Sequence, residues 1–302
     1  MDLTPVTDLM DELARSTWAS LVDAYDLDVD WGEVTITHTV LLALKRLLRE
    51  QSLPLLVERV RAHDEKASGA DFELWVQSAS GNVVGFSIQA KRVYLGRKKP
   101  EYQALGHKGA LPKEKQYDTL LRHAAKNGTV PFHLFYNGWA LPRTDIAFPS
   151  GRDTELFGCA VVRTSEVRRI RNANVRRGMN EVSRFAKISM PWSDLLRLPS
   201  GGSAGGGGGS SDGGTSGGGN PTSGIPDPSQ SPAAPAPLRV SDEDLRKLLE
   251  LHSAEPVDDK VRIREGLPDY VTAALSSTAA AGHEDLQDDP TLPEVVAVIK
   301  GA

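Results

Sequence analysis

The chain has 302 residues, is 39% hydrophobic and 25% charged, and carries a formal net charge of -5. That balance fits a folded soluble protein and excludes collagen-like, disulfide-scaffold and wholly disordered classes. Its single cysteine, Cys159, excludes an internal disulfide and a Cys-rich zinc site, so a metal is expected on oxygen or imidazole ligands.

No apolar run reaches the roughly eighteen residues of a membrane helix. The opening MDLTPVTDLMDELARS is acidic where a signal peptide is basic and then apolar. A cytoplasmic protein with no membrane partner is expected. Charge is distributed unevenly: residues 1–50 hold 4 basic and 10 acidic side chains, residues 51–200 hold 24 and 14, and residues 201–302 hold 7 and 16. The positive middle suits a polyanion, although a basic solvated surface balanced by acidic ends has the same composition.

In chain order, Trp31–Glu50 carries Val40, Leu41, Leu44, Leu47 and Leu48 at helical spacing, with Glu33 in the first turn where it complements the helix dipole. Two strand-like runs follow, Asp71–Gln77 and Val83–Tyr94, joined by the turn-forming SASGN. A helix is predicted over Pro112–Lys126 with Gly128 as its stop, then a strand over Pro131–Asn137, a strand over Leu156–Arg163, a helix over Ser165–Asn174 and a short helix over Trp192–Leu198. The order α, β, β, α, β, β, α predicts a mixed α/β sandwich around one sheet.

Thirteen of the 28 glycines lie between Gly201 and Gly224, followed by a Pro/Ser-rich run, so residues 200–238 read as a disordered linker or insertion. Beyond it, Ser241 and Asp244 form an N-cap pair, Pro268 opens a helix through Leu275, and Pro293–Lys300 reads as a strand. A strand cannot stand alone, so residues 239–302 either return to the core sheet or form a separate partner-binding module.

The hairpin carries the chemistry. Alternation sends Phe72, Leu74 and Val76 to one face and Asp71, Glu73, Trp75 and Gln77 to the other; Ser87, Gln89 and Lys91 form the polar set of the second strand. Burying the apolar sets together places Asp71 opposite Gln89 or Lys91. A carboxylate, an amide and an ammonium then share one spot, which suits a Mg²⁺-dependent phosphodiester hydrolase: oxygen ligands for the ion and a lysine beside the attacking water.

These residues resemble the PD-(D/E)XK nuclease superfamily in its Q-x-K variant, as in some Mrr-like restriction endonucleases. The family pattern is an acid on the first core helix, an acid on the second strand and (E/Q)-x-K on the third. The resemblance assigns these to Glu33 in WGEVTIT, Asp71 in SGADFELWV, and Gln89 and Lys91 in FSIQAKR. It implies a restriction-endonuclease-like mixed β-sheet flanked by helices. The parts are an acidic N-terminal helical extension (1–30), a nuclease core (31–199), the linker (200–238) and a small α-rich C-terminal segment (239–302).

It further implies catalytic Glu33, Asp71, Gln89 and Lys91, and Mg²⁺, or Mn²⁺, on Asp71, Gln89, the Ala90 carbonyl and Glu33. Glu73, Gln116 and Lys115 would surround them. Two departures stand out: Gln89 replaces the commoner acid, removing one charge, and no proline precedes Asp71. The expected activity is DNA cleavage in restriction, repair or anti-phage defence, with a homodimer or a defence-system protein as partner; the alternative is a nuclease fold that binds or assembles without cutting.

Other residues have plainer readings. Glu33 can act as a dipole partner, and Glu73 is expected as an exposed carboxylate paired with Lys or Arg. His63, Asp64 and Glu65 read as solvated surface. His107, His123 and His133 have no partner at ligand spacing, and His133 is expected to be a structural histidine. Cys159 is expected as an inert buried thiol. Phosphate contacts are expected from Arg92, Arg97, Lys98, Lys99, Arg168, Arg169, Arg171, Arg176 and Arg177, with Arg163 and Arg184 nearby and Tyr94 or Trp139 stacking on a base. A solvated charged face is the alternative for the arginine-rich helix.

Overall fold

The computed structural model describes residues 3–51, 55–59, 67–95, 99–107, 111, 114–140, 146–173, 180–198, 240–252, 263–269 and 271–272. Helices α1 (Thr4–Asp26) and α2 (Glu33–Gln51) open the chain. On α1, Val6, Met10, Ala14, Trp18 and Leu21 recur every three or four residues and are buried in the same core cluster as the sheet. The expected extension is therefore part of the core, with Asp8, Glu12 and Asp23 on its exposed side. Its backbone approaches so closely that a Cβ on Gly158 would lie 2.0 Å from the Ala14 carbonyl oxygen.

The strands are β1 (Leu55–Arg59), β2 (Phe72–Gln77), β3 (Asn82–Leu95), β4 (Pro100–Tyr102), β5 (Val130–Tyr136), β6 (Cys159–Arg163), β7 (Met190–Pro191) and β8 (Arg264–Glu265). The sheet runs β1-β2-β3-β5-β6-β7, and β4 and β8 pair with opposite ends of the long β3. The β3–β5 pairing is parallel and the others are antiparallel. Between β3 and β5 lies α3 (Gln116–Asn127), ended by Gly128 at φ 67°, a left-handed stop as the sequence predicts. The remaining helices are α4 (Thr164–Asn172), α5 (Val182–Ala186) and α6 (Asp242–His252).

Helices cover both faces. On one, Tyr136 meets Thr37 of α2, and His252 of α6 packs edge-on against Phe86 and Phe132. On the other, His123 of α3 meets Glu73, Thr164 of α4 meets His133, and Phe185 of α5 meets Phe135. Such a three-layer arrangement leaves no solvated face on the central strands. Glu73, Ser87 and Gln89 are accordingly buried, and the expectation of an exposed Glu73 is overturned.

Three further differences follow from packing. β1 and β4 lie where no strand was predicted. Residues Thr154–Gly158 form a 3-10 turn, opened by the Asp153 carboxylate accepting from the Glu155 amide, so β6 starts only at Cys159. The short helix predicted at Trp192 is a 3-10 turn over Trp192–Leu195.

The described part of the tail packs against the core. Ser241 and Asp244 form the predicted capping pair, α6 buries Leu245, Leu248 and His252, and β8 pairs with Asn82 and Val83. The Pro268 carbonyl accepts from the Val271 and Thr272 amides, a first helical turn. The linker 200–238 and the strand predicted over Pro293–Lys300 lie outside the described residues. Among the described residues, no helix is long and apolar enough to cross a membrane.

Candidate active site

β3 outruns β2. The register pairs Phe72 with Ile88, and the Asp71 amide still donates to the Ile88 carbonyl, but no β2 residue lies beyond. In a strand, backbone groups two residues apart point the same way. The amides of Ala90 and Arg92 therefore face the space where β2 has ended, and each is taken by a carboxylate. Asp71 Oδ2 accepts from the Ala90 amide at 2.5 Å, and Glu33 Oε2 accepts from the Arg92 amide at 3.1 Å. Between them, Lys91 Nζ donates to Glu33 Oε1 at 3.0 Å with its side chain only 8% exposed. Glu33 from α2, Asp71 from the start of β2 and Lys91 from β3 thus meet at one strand end.

Gln89 lies between Ile88, whose carbonyl accepts from the Asp71 amide, and Ala90, whose amide donates to the Asp71 carboxylate. The Gln89 side chain is buried, and its Nε2 has no hydrogen-bond partner among the described residues. Beside it in the parallel register is His133, also fully buried; its Nδ1 is 3.1 Å from Thr164 Oγ1, while its Nε2 has no partner among the described residues. Burial, with Lys91 nearby, pushes His133 down to about 3, so the ring is neutral near neutral pH.

Two residues that the sequence reading missed hold the site's floor. Tyr136 and Thr37 share a 3.0 Å hydroxyl contact, and Thr37 Oγ1 donates to the Glu33 carbonyl at 2.9 Å, so the Tyr136 hydroxyl is the donor to Thr37 and anchors the first turn of α2. Burial raises the Tyr136 pKa far above its usual range, assisted by Cys159 and by the Asp71 and Glu33 carboxylates. Thr37 could have been found as the i+4 neighbour of Glu33; Tyr136 needed the β3–β5 register, which no local pattern encodes.

Other expected residues sit elsewhere. Glu73 lies on the α3 side, where it accepts from Trp75 Nε1 at 3.2 Å and Ser87 Oγ at 3.0 Å and lies 2.9 Å from His123 Nε2. His123 therefore has a partner, contrary to expectation. Lys115 caps α3 and is exposed; the Gln116 carbonyl abuts Gly69, where a Cβ would come within 2.9 Å. Cys159 is buried and pushed up to about 12 by burial, an inert thiol as expected.

Of the expected phosphate contacts, Arg92 is buried: its guanidinium donates to the Trp31 carbonyl at 2.7 Å, pairs with Asp30 at 2.8 Å and lies over the Tyr94 ring. Arg171 is held by Asn180 and packs on Gly106. Lys99, Arg168 and Arg169 are exposed but paired with Glu181, Asp118 and Glu166. Trp139 is buried against Trp18 and Phe148, not free to stack on a base. His63, Asp64, Glu65, Arg97, Lys98, Arg176 and Arg177 lie outside the described residues.

Asp71, Gln89 and Ala90 offer one carboxylate, one amide and one strand-edge carbonyl. The Ala90 carbonyl points the same way as its amide, towards the space beyond β2. This is a hard-oxygen set of the kind that suits Mg²⁺ retaining several waters. Gln89 fits it, because its amide can present Oε1 to an ion while Nε2, unpartnered among the described residues, faces elsewhere. Glu33 fits less well as a ligand, since Lys91 and the Arg92 amide already engage both its oxygens. Among the described residues, no group of three or more His, Cys, Asp or Glu side chains is placed to hold a metal, so the set is open rather than a closed cage. A cavity of about 520 Å³, lined in part by Phe132, Val161, Arg163 and His252, contains none of these residues.

The molecule is thus a three-layer α/β protein with a carboxylate, amide and lysine cluster at the end of its longest strand. Residues 6–301 match a family described as a family of unknown function, DUF6615, and the chain belongs to that family. No curated protein matches the sequence.

Proposed function

We propose that the protein is a divalent-metal-dependent nuclease with a restriction-endonuclease-like core, acting on DNA. The observation that carries this reading is the pair of carboxylates on the Ala90 and Arg92 amides with Lys91 between them. β1 adds support. It makes β2 and β3 the second and third strands after α2, the positions where the PD-(D/E)XK pattern has its acid and its (E/Q)-x-K.

In this reading Asp71, Gln89 and the Ala90 carbonyl hold Mg²⁺ or Mn²⁺, and the bound ion supplies a more acidic water and neutralises phosphate charge. Glu33 aims the Lys91 ammonium, and Lys91 Nζ donates to the attacking water or to a phosphate oxygen. The water oxygen bonds to phosphorus, the ester P–O bond breaks, and the water proton ends on the departing oxygen. Tyr136 and Thr37 keep Glu33 in place. Lys99, Arg168 and Arg169, themselves exposed, can exchange their half-buried carboxylate partners for phosphates, since surface pairs are worth about 1 kcal/mol or less. Service in restriction, repair or defence, and assembly as a homodimer or with a defence partner, extend the same family resemblance.

Mg²⁺- or Mn²⁺-dependent cutting of DNA by the wild type but not by Lys91→Ala is the expected result. Gln89 in place of an acid favours a second reading, in which the fold binds nucleic acid without cleaving it; salt-dependent binding with no cutting in either metal would establish that one instead.

A further inference from the structure

Resting on the metal-site reading above, we infer that His133 is the positioning residue that turns the Gln89 amide so that its oxygen, not its nitrogen, faces the ion. An acid at position 89 would need no such help, because both ends of a carboxylate are oxygen. An amide does, because its wrong end presents two hydrogens to a cation.

Among the described residues, four buried side-chain nitrogens lack a hydrogen-bond partner: Arg92 Nε, Arg171 Nε, Gln89 Nε2 and His133 Nε2. The last two are adjacent in the sheet. They belong to neighbouring residues of the parallel β3–β5 register, on the same face of the sheet. Buried polar groups are seldom left unpaired, and when two lie side by side the economical solution joins them, directly or through one buried water. His133 Nδ1 is engaged with Thr164 Oγ1 at 3.1 Å. With Nδ1–H donating to Thr164, Nε2 is a bare acceptor, which matches the Gln89 N–H. The chain from Thr164 through His133 to Gln89 then runs from the first residue of α4 to the ion site, and outer partners of this kind orient the ligand without touching the metal.

The test uses the full chain and Mn²⁺ alone, with no nucleic acid. Mn²⁺ affinity is measured by electron paramagnetic resonance for wild type, Asp71→Asn, His133→Phe, Gln89→Glu and the His133→Phe/Gln89→Glu double variant. His133→Phe is expected to weaken binding about tenfold, and that loss is expected to shrink in the Gln89→Glu background, where orientation no longer matters. If Asp71→Asn leaves affinity unchanged, the site reading itself fails. If Asp71→Asn abolishes binding while His133→Phe does not alter it, or costs the same in both backgrounds, only this inference fails. Should His133→Phe not fold, ring-¹⁵N-labelled wild type decides: a bare Nε2 on His133 supports the inference, and a protonated Nε2 overturns it.

Discussion

His252 gives the sharpest test of whether the C-terminal segment belongs to the core. It ends α6, is 2% exposed, presents its ring edge-on to Phe86 and Phe132, and lies with Nε2 3.0 Å from the Leu195 carbonyl. Burial lowers it from 6.5 to about 4, with Arg163 adding to the effect. Because the folded-state value is depressed, the unfolded chain takes up the proton first as pH falls. Stability that is complete above about pH 6.5 is therefore lost through the window down to about pH 4. At about 1.4 kcal/mol per unit, His252 accounts for a loss of about 2–3 kcal/mol between roughly pH 7.5 and pH 4.5. His252→Phe keeps the aromatic packing and removes the titrating nitrogen. Denaturant unfolding at those two pH values is expected to show the wild type losing about 2–3 kcal/mol more than the variant. Equal losses would mean that α6 is not docked on Phe86 and Phe132 in the cooperative unit.

Two further outcomes follow. Gly85→Ala puts a Cβ 2.4 Å from the Trp75 ring and is expected to cost about 1–3 kcal/mol in urea unfolding, with partial recovery when Trp75→Leu is added; wild-type stability in the single variant would contradict the packing. Arg92→Ala is expected to lower the melting temperature without altering the salt dependence of DNA binding, whereas Lys99→Ala is expected to leave melting unchanged and reduce the salt slope by about 1; the reverse pattern would restore Arg92 as a phosphate contact.

What was legible in the sequence was local. The periodicity of α2, the hairpin with its turn, the left-handed stop at Gly128 and the Ser241 capping pair each depend on a few neighbouring residues, and each stands in the structure. Alternation put Asp71 opposite Gln89 or Lys91, because a slip of one would have exchanged the faces, and in the structure the Asp71 carboxylate takes the amide of Ala90, which lies between those two residues. Glu73 was misread for a reason intrinsic to that method. Alternation says which residues share a face but not whether a helix covers it, and α3 covers this one. β1 is five residues between segments with no strand-like repeat, so its pattern carries little weight without its partner. Arg92 looked like a phosphate ligand because it adjoins Lys91, yet adjacent strand residues point apart, and its side chain turns to Asp30 and Trp31. The Tyr136–Thr37 anchor and the Gln89–His133 pair join elements far apart in the chain through the parallel register.

The central claim is that Asp71, Gln89 and the Ala90 carbonyl form a divalent-metal site beside Lys91. Anomalous diffraction from crystals of the full chain equilibrated with Mn²⁺ tests it most directly. The account predicts a manganese peak within coordination distance of those three oxygens; a cleft with no peak there, or manganese held by other residues only, would contradict it.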